Sequence, residues 1–470
     1  MADVADELEG SSSSLTRGDL LKRGSAAAFA VTMFGGLTDR ALGFRQLKYA
    51  GRALAGDLRI MTWAHFVPAY DTWLDNTYVK EWGEKNDVQV KVDHINNALL
   101  YSTGASEVAA QSGHDLFWFI SPPSSFQKQA IPVTDLVQEV SKKVGPMARV
   151  ARKATYNPKT KQFYGFPETY APDPVQYRRS FLQEAGVSLN SWEDLRKGAP
   201  KLKAIGHPVG LGMSNEIDSN MLLTSLLYCY GGFIQNEENR IVIGQGANRR
   251  GAIQALTVMR DIYRNGMSDE VFAWTAASNN QAFLAGRLSV ALNAISIVRS
   301  AENSGNQALA DDTWLASIPR GPAMRLGNEH VMGVYLIWKF AKNKEAAMKY
   351  VVDQQLAYRD HFMRSQYYNF PPWTGAIKGG FKEIRKLAAA DSHKPKGKYT
   401  VLTTIAEKYT TNPGHPGNTT PVMDEIYNTF LIPQMFAEVA QGKSTPAEAV
   451  SAFASKAQSI YRKWRNQGLV

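Results

Sequence analysis

Residues 280–296 read NQAFLAGRLSVALNAIS, and the order of signals within them decides the fold. The stretch opens as a helix, with Phe283 and Leu284 on one side. Gly286 ends it, because glycine readily takes the left-handed backbone angles on which helices stop. LSVALN follows, a short apolar run around β-branched Val290 that reads as a buried strand. The run breaks off at Asn293, with Ser296 close behind. A helix feeding straight into a buried strand is an α/β unit. In open α/β sheets ligands bind just outside the carboxyl ends of the strands, which makes Asn293 and Ser296 candidate ligand contacts.

The same alternation extends outward. LRIMTW (58–63) reads as a strand, TWLDNTYVKEWGEKN (72–86) as a helix and VQVKVDHI (88–95) as a strand. A helix around 106–111 and the strand DLFWFI (115–120) complete a β-α-β-α-β order, which predicts a parallel sheet with helical crossovers. YNPKTKQFY (156–164) reads as a hairpin, and GFPETYAPDP as a proline-rich break. SWEDLRKGAPKLKAI reads as a helix capped by Ser191, with Asp194 three residues on. Helices are expected over 221–230 and 251–265, and strands over 313–319 and 333–340. The last third reads as helical, ending in STPAEAVSAFASKAQSIYRKW with Ser444 or Thr445 as cap and Pro446 in the first turn.

At 470 residues, two or three domains are expected. The 10 Trp and 20 Tyr suit half-exposed ligand surfaces. The net charge of +10 is scattered, without a Lys/Arg block or a nucleic-acid motif, so nucleic acid is not an expected partner. The one cysteine, Cys229, lies in the apolar run SLLYCYGG and reads as an inert core thiol. Residues 1–56 read as a targeting extension: an acidic, Ser-rich start, a basic patch (Arg17, Lys22, Arg23), then SAAAFAVTMFGG, too short to span a membrane. TRGDLLK resembles a twin-arginine export motif with Gly18 in place of the second arginine. With seven Lys/Arg and six Asp/Glu in 1–56, the rest of the chain keeps +9.

Several segments resemble one family in order: GDLRIMTW, VQVKVDHI, GHDLFWF, YRRSFLQEAGVSLNSWEDLRKGAPKLKA, NQAFLAGRLSVALNAIS, GVYLIWKFAKNKEAAMKYV and GKSTPAEAV. Together they resemble extracellular solute-binding proteins of the maltose-binding type, the receptors of ABC importers. The resemblance implies an α/β, type II periplasmic-binding-protein fold: two lobes, each a mostly parallel sheet flanked by helices, closing on a ligand about crossover strands. Lobe 1 is expected from 57–166 and 320–365, and lobe 2 from 167–319 and 366–470. Crossings are expected near 163–172, 313–321 and 364–372, each a Pro/Gly-rich break. A non-catalytic, exported monomer is implied, without cofactor or resident metal, delivering a carbohydrate, expected to be an oligosaccharide, to a membrane permease.

A sugar site needs flat rings for C–H faces and paired donors and acceptors for hydroxyls. The first strand ends in TWAHF, offering Trp63, His65 and Phe66, and the third in FWFISPP, offering Trp118, Phe119 and Ser121. One or two of these rings are expected to touch ligand while the rest fill the core. Tyr170 and Asp173 lie in the first crossover. Asp218 and Asn220, in SNEIDSN, suit ligand contact or helix capping equally. Trp274 is a candidate stacking platform, and Tyr367, Tyr368 and Trp373 come from the aromatic loop SQYYNFPPWTGAI. Ala171 and Ile295 depart from the family pattern, which weighs against maltose itself.

Three rival readings stay open. A carbohydrate-active enzyme could pair Glu168 with Asp173, yet GxSxG, HExxH, P-loop and GxGxxG motifs are absent, and GQGANR has Arg249 at the last glycine. Tyr367 and Tyr368 could supply a phenolate pair for ferric ion. A polyamine would need cleft carboxylates, against which the +9 charge weighs, and glycerol phosphate would need Arg178, Arg179 or Arg299 in the cleft.

Overall fold

A computed structural model describes Leu54 and residues 56–470. The export segment expected in 1–56 therefore lies almost wholly outside the described residues. Nine strands build two main sheets: β1 (Asp57–Trp63), β2 (Gln89–Ile95), β3 (Leu116–Phe119), β4 (Phe166–Ala171), β5 (Val175–Arg178), β6 (Val209–Gly210), β7 (Val290–Leu292), β8 (Thr313–Ala316) and β9 (Val331–Ile337). The first sheet has the order β2-β1-β3-β9-β4 and the second β8-β5-β7-β6. β1 is parallel to β2 and β3, while β9 opposes both β3 and β4. In the second sheet β5 opposes β8 and β7, and β6 is parallel to β7. Each sheet is thus parallel except for one opposing strand. Central β3 and β9 are buried along their whole length, as strands covered on both faces must be.

Five helices matter below: α1 (Trp192–Ala204), α2 (Ile217–Cys229), α3 (Ser278–Leu284), α4 (Ser296–Asn303) and α5 (Pro446–Asn466). α3 stops at Gly286, whose φ is +75°, and the chain enters β7, as the pattern of 280–296 predicts. The Ser191–Asp194 pair forms a capping box on α1, and Thr445–Glu448 forms another on α5. Cys229 ends α2 fully buried, with Sγ facing the Pro319 and Leu326 carbonyls. No described helix is long and apolar enough to cross a membrane.

Two apolar cores form, one around each sheet. The first takes Leu58 to Ala171 and then Val331 to Ala406; the second takes Val175 to Leu292 and then Val422 to Leu469. Three boundaries expected from sequence need correction. The second crossing is not at 313–321: Thr313–Ala316 is a strand of the second sheet, and Arg320 and Ala323, expected in lobe 1, bond to the backbone of Asn190 and Cys229 in the second lobe. Residues 366–406, expected in lobe 2, pack in the first core through Tyr367, Tyr368, Phe370, Trp373, Ile384 and Leu402. The segment 364–372 is not a crossing, because Phe370 exchanges backbone hydrogen bonds with Tyr170 and so extends the first sheet's edge. The third passage between cores comes later, after Ala406. There Thr410–Thr411 runs parallel to Gly327–Asn328 of the second passage, so the two later connections lie side by side. The first connection is the short step from Ala171 at the end of β4 to Val175 at the start of β5.

That step fixes where a site can be. β1, β2, β3 and β4 all end on one edge of the first sheet, and β9 begins there. β6, β7 and β8 end, and β5 begins, on the facing edge of the second. The carboxyl ends of both sets of parallel strands therefore meet across the boundary, at the crevice where α/β sheets bind ligands.

Candidate functional site

On the first lobe's side, the end of β1 carries Trp63, stacked on Trp118 of β3 with ring centres 5.2 Å apart and planes 14° from parallel. Gly333 of β9 permits this stack: a Cβ there would sit 2.6 Å from Trp118 Nε1. Trp118 Nε1 donates to Glu168 Oε2 at 3.3 Å. Burial pushes the Glu168 carboxyl up to about 8, against that hydrogen bond, so the side chain is held protonated. A cavity of about 10 Å³ beside Trp63, Trp118, Glu168 and Asn369 has room for roughly one water.

His65 and Tyr368 complete the aromatic wall, their rings 4.8 Å from each other and 4.9 and 6.0 Å from Trp63. His65 Nδ1 accepts from the Val67 N–H, so Nε2 carries the proton and donates to Asn369 Oδ1 at 3.2 Å. Burial lowers its pKa to about 4, leaving the ring neutral. Phe66, half-buried, lies 5.7 Å from Trp63. Ser121 follows β3 at the same edge and is buried.

The second lobe brings a polar network. At the end of β7, Asn293 Nδ2 lies 2.7 Å from Asn280 Oδ1 and 3.3 Å from Asn279 Oδ1 and Asp218 Oδ2. Asn279 Nδ2 donates to the same Asp218 oxygen at 3.0 Å. Asn280 Nδ2 donates to Ser296 Oγ, which donates to Asn293 Oδ1. Asn293 and Ser296 thus sit at the crevice, with their polar atoms spent on orienting Asp218. Burial raises the Asp218 carboxyl to about 6, opposed by the His330 charge and the Asn279 hydrogen bond.

One imidazole joins the lobes. His330, just before β9, places Nδ1 3.1 Å from Asp173 Oδ1 and Nε2 3.6 Å from Asp218 Oδ1. Burial pulls its pKa down, but the two carboxylates outweigh that and hold it above the usual histidine value. Asp173 Oδ2 and the Tyr368 hydroxyl have no hydrogen-bond partner although both residues are buried. Such orphaned groups in a native fold call for an explanation, and a ligand supplying donors is one.

The remaining candidates fall elsewhere. Phe119 packs in the first core against Phe117 and Phe126, not in the crevice. Trp373 stacks on Phe166 and donates to Ser141 Oγ, which makes it a core ring. Trp274 belongs to the second core, its carbonyl accepting from Ser214 Oγ. Asn220 is fully buried and donates to the Tyr427 carbonyl, its Oδ1 unpartnered. Tyr170 packs on Phe370 with its hydroxyl unpartnered. Tyr367 and Tyr368 do not form a pair: Gln366 and Tyr367 take φ of +54° and +70°, and this turn sends them to different neighbours. Tyr367 donates to the Leu387 carbonyl beneath Arg299, while Tyr368 faces Trp63 and His65. The ferric reading loses its phenolate pair. Among the described residues no His/Cys/Asp/Glu group is arranged to hold a metal ion. The phosphate reading loses its cations, since Arg178 pairs with Asp312, Arg179 lies over Trp314 and Arg299 pairs with Glu302 and Asp391. Glu168 and Asp173 engage different partners, Trp118 and His330. Sequence reasoning missed His330, Asn279 and Asn280, while Asn369 was singled out with the aromatic loop 365–377. The polar run GNEH ahead of an apolar strand, and NN inside α3, were the available signals.

The family model described as bacterial extracellular solute-binding protein matches residues 77–358. The chain belongs to that family. No curated protein matches it. Among solved structures, this solute-binding protein is similar to the maltose-bound MalE3 of T. maritima, at 17% identity and a TM-score of 0.68, covering 86% of this chain and 100% of that one. It is also similar to the GacH receptor of Streptomyces glaucescens, solved with acarbose, at 16% identity and a TM-score of 0.68, covering 87% and 98%. A sugar transporter protein from Arthrobacter chlorophenolicus with bound laminaribiose gives 16% identity and a TM-score of 0.67, covering 87% and 99%. At these identities the likeness establishes the two-lobed type II binding-protein fold.

Proposed function

We propose that this solute-binding protein is the receptor of an ABC importer, capturing a carbohydrate between its lobes and handing it to a membrane permease without chemical change. The observation that carries the reading is the Trp63–Trp118 stack, extended by Tyr368, at the strand ends of the first lobe, together with the Asp218–Asn293 network at the strand end of the second. Rings take sugar C–H faces, and buried carboxylate oxygens accept from sugar hydroxyls. The ligands named for the structures above, maltose, acarbose and laminaribiose, support the same class. Ser121, Phe66 and Asn369 are proposed as secondary contacts. Closure follows from binding both lobes at once: a ligand that touches Trp63 and Asp218 favours the state in which they face each other.

The test is thermal unfolding of the purified protein against mono- and oligosaccharides. Ligand at a hundred times Kd adds about 2.7 kcal/mol of stability, read as a rise in melting temperature. A rise with one sugar class, and that sugar recovered unaltered, supports the reading. No shift with any sugar, or a cleaved sugar, overturns it.

A further inference from the structure

The two lobes press an unbalanced set of charges together. Asp173 comes from the first crossing and Asp218 from the start of α2, and both are buried, at 2% and 7% exposure. Only His330 lies between them as a cation, and burial pushes the neighbouring Glu216 carboxyl up to about 8, so it adds no charge to the set. Arg299 of α4 is already spent on Glu302 and Asp391. Hydrogen bonding shows the same deficit. Asp173 Oδ2 has no donor, and Asp218 Oδ1 has only the His330 contact at 3.6 Å, beyond hydrogen-bond range. The Tyr368 hydroxyl, also unpartnered, lies on the same side, within the electrostatic reach of both carboxylates. His65 nearby is held neutral and contributes no charge. A neutral sugar would satisfy the acceptors and leave an uncompensated buried charge, which is costly. A protonated amine supplies three donors and the missing positive charge at once.

We infer that the captured solute carries a protonated amine that meets the free Oδ2 of Asp173 and Oδ1 of Asp218 beside His330. The inference rests on the binding-receptor reading above and narrows its solute class. The +9 charge outside residues 1–56 is scattered along the chain, whereas Asp173 and Asp218 form a local acidic cluster. Because Asp173 lies in the first crossing and Asp218 in the second lobe, an amine that meets both is bound at the hinge side of the crevice, which ties its recognition to closure.

Calorimetric titration of the full chain tests this with four probes: the disaccharide of glucosamine, its N,N′-diacetyl counterpart, cellobiose, and spermidine. The inference predicts that the aminated disaccharide binds at least tenfold more tightly than the acetylated and neutral sugars. Asp173→Asn, which keeps shape and removes charge, abolishes that preference. Spermidine binding without any sugar binding also supports the amine, and in that case it is the carbohydrate reading that fails. Cellobiose or the acetylated sugar binding as tightly as the amine overturns the inference and leaves the carbohydrate reading standing. Absence of binding by both amines overturns it as well.

Discussion

Trp63, Asp218 and Asn293 show what single residues can and cannot disclose. Trp63 and Asn293 stand where apolar strands end, as the sequence reads, and the fold puts both on the strand-end edges of their sheets. Phe119 and Trp373 carried equally good sequence signals and are core rings, because an aromatic's direction depends on what packs against it. His330 was invisible for the opposite reason: its role arises from two carboxylates 157 and 112 residues away in the chain. Trp63→Phe keeps a ring at the stack, so it should retain most of the stability and lose at least about tenfold in sugar affinity. Full truncation to alanine should cost about 3–5 kcal/mol as well, which confounds the affinity measurement. Glu168 gives a pH-dependent prediction. Its folded pKa, near 8, lies above the ordinary 4.5, so between those values the folded chain holds a proton that the unfolded chain releases. Its contribution to stability therefore falls as pH rises through that window. Glu168→Gln removes the dependence, so the variant's melting temperature should rise relative to the unaltered protein between about pH 5 and pH 8. A constant difference across that range would contradict a protonated Glu168.

At the scale of elements, local chemistry was read well. Ser191 and Thr445 both cap helices through reciprocal boxes, and Gly286 ends α3, because these signals act within a few residues of their cause. Thr445→Ala should cost about 1 kcal/mol in unfolding free energy and leave ligand affinity unchanged. The aromatic segment 365–377 was assigned to the wrong lobe. Its proline-rich, aromatic composition suits a hinge, but its backbone pairs with Tyr170 and its rings fill the first core. Composition marks a break in regular structure and says nothing about which sheet edge the break lies against.

The whole molecule is held at its boundary by more than the site. α4 starts at the crevice and carries Arg299 and Glu302 into a buried cluster with Lys398, Tyr399 and Asp391, all from the segment packed with the first lobe. Lys398 Nζ lies 2.6 Å from Glu302 Oε1, and both side chains are 1% exposed. Removing one partner of such a network leaves a buried charge uncompensated, so Glu302→Gln should lower stability by about 3–5 kcal/mol in chemical denaturation. A loss well under 1 kcal/mol would mean that the cluster is hydrated in solution. Because this cluster joins segments separated by the whole of β8 and β9, nothing in the local sequence announced it. The parallel sheet was legible in the alternation of strands and helices, and the two lobes in the resemblance to solute-binding proteins, whereas the path of the later crossings depended on contacts across the chain. The claim that joins all three scales is that a sugar draws the lobes together over Trp63 and Asp218. Small-angle X-ray scattering of the protein, alone and with a saturating amount of the sugar that raises its melting temperature, tests it most directly. The account predicts a radius of gyration that falls on sugar addition. A sugar that binds and leaves the curve unchanged would contradict it.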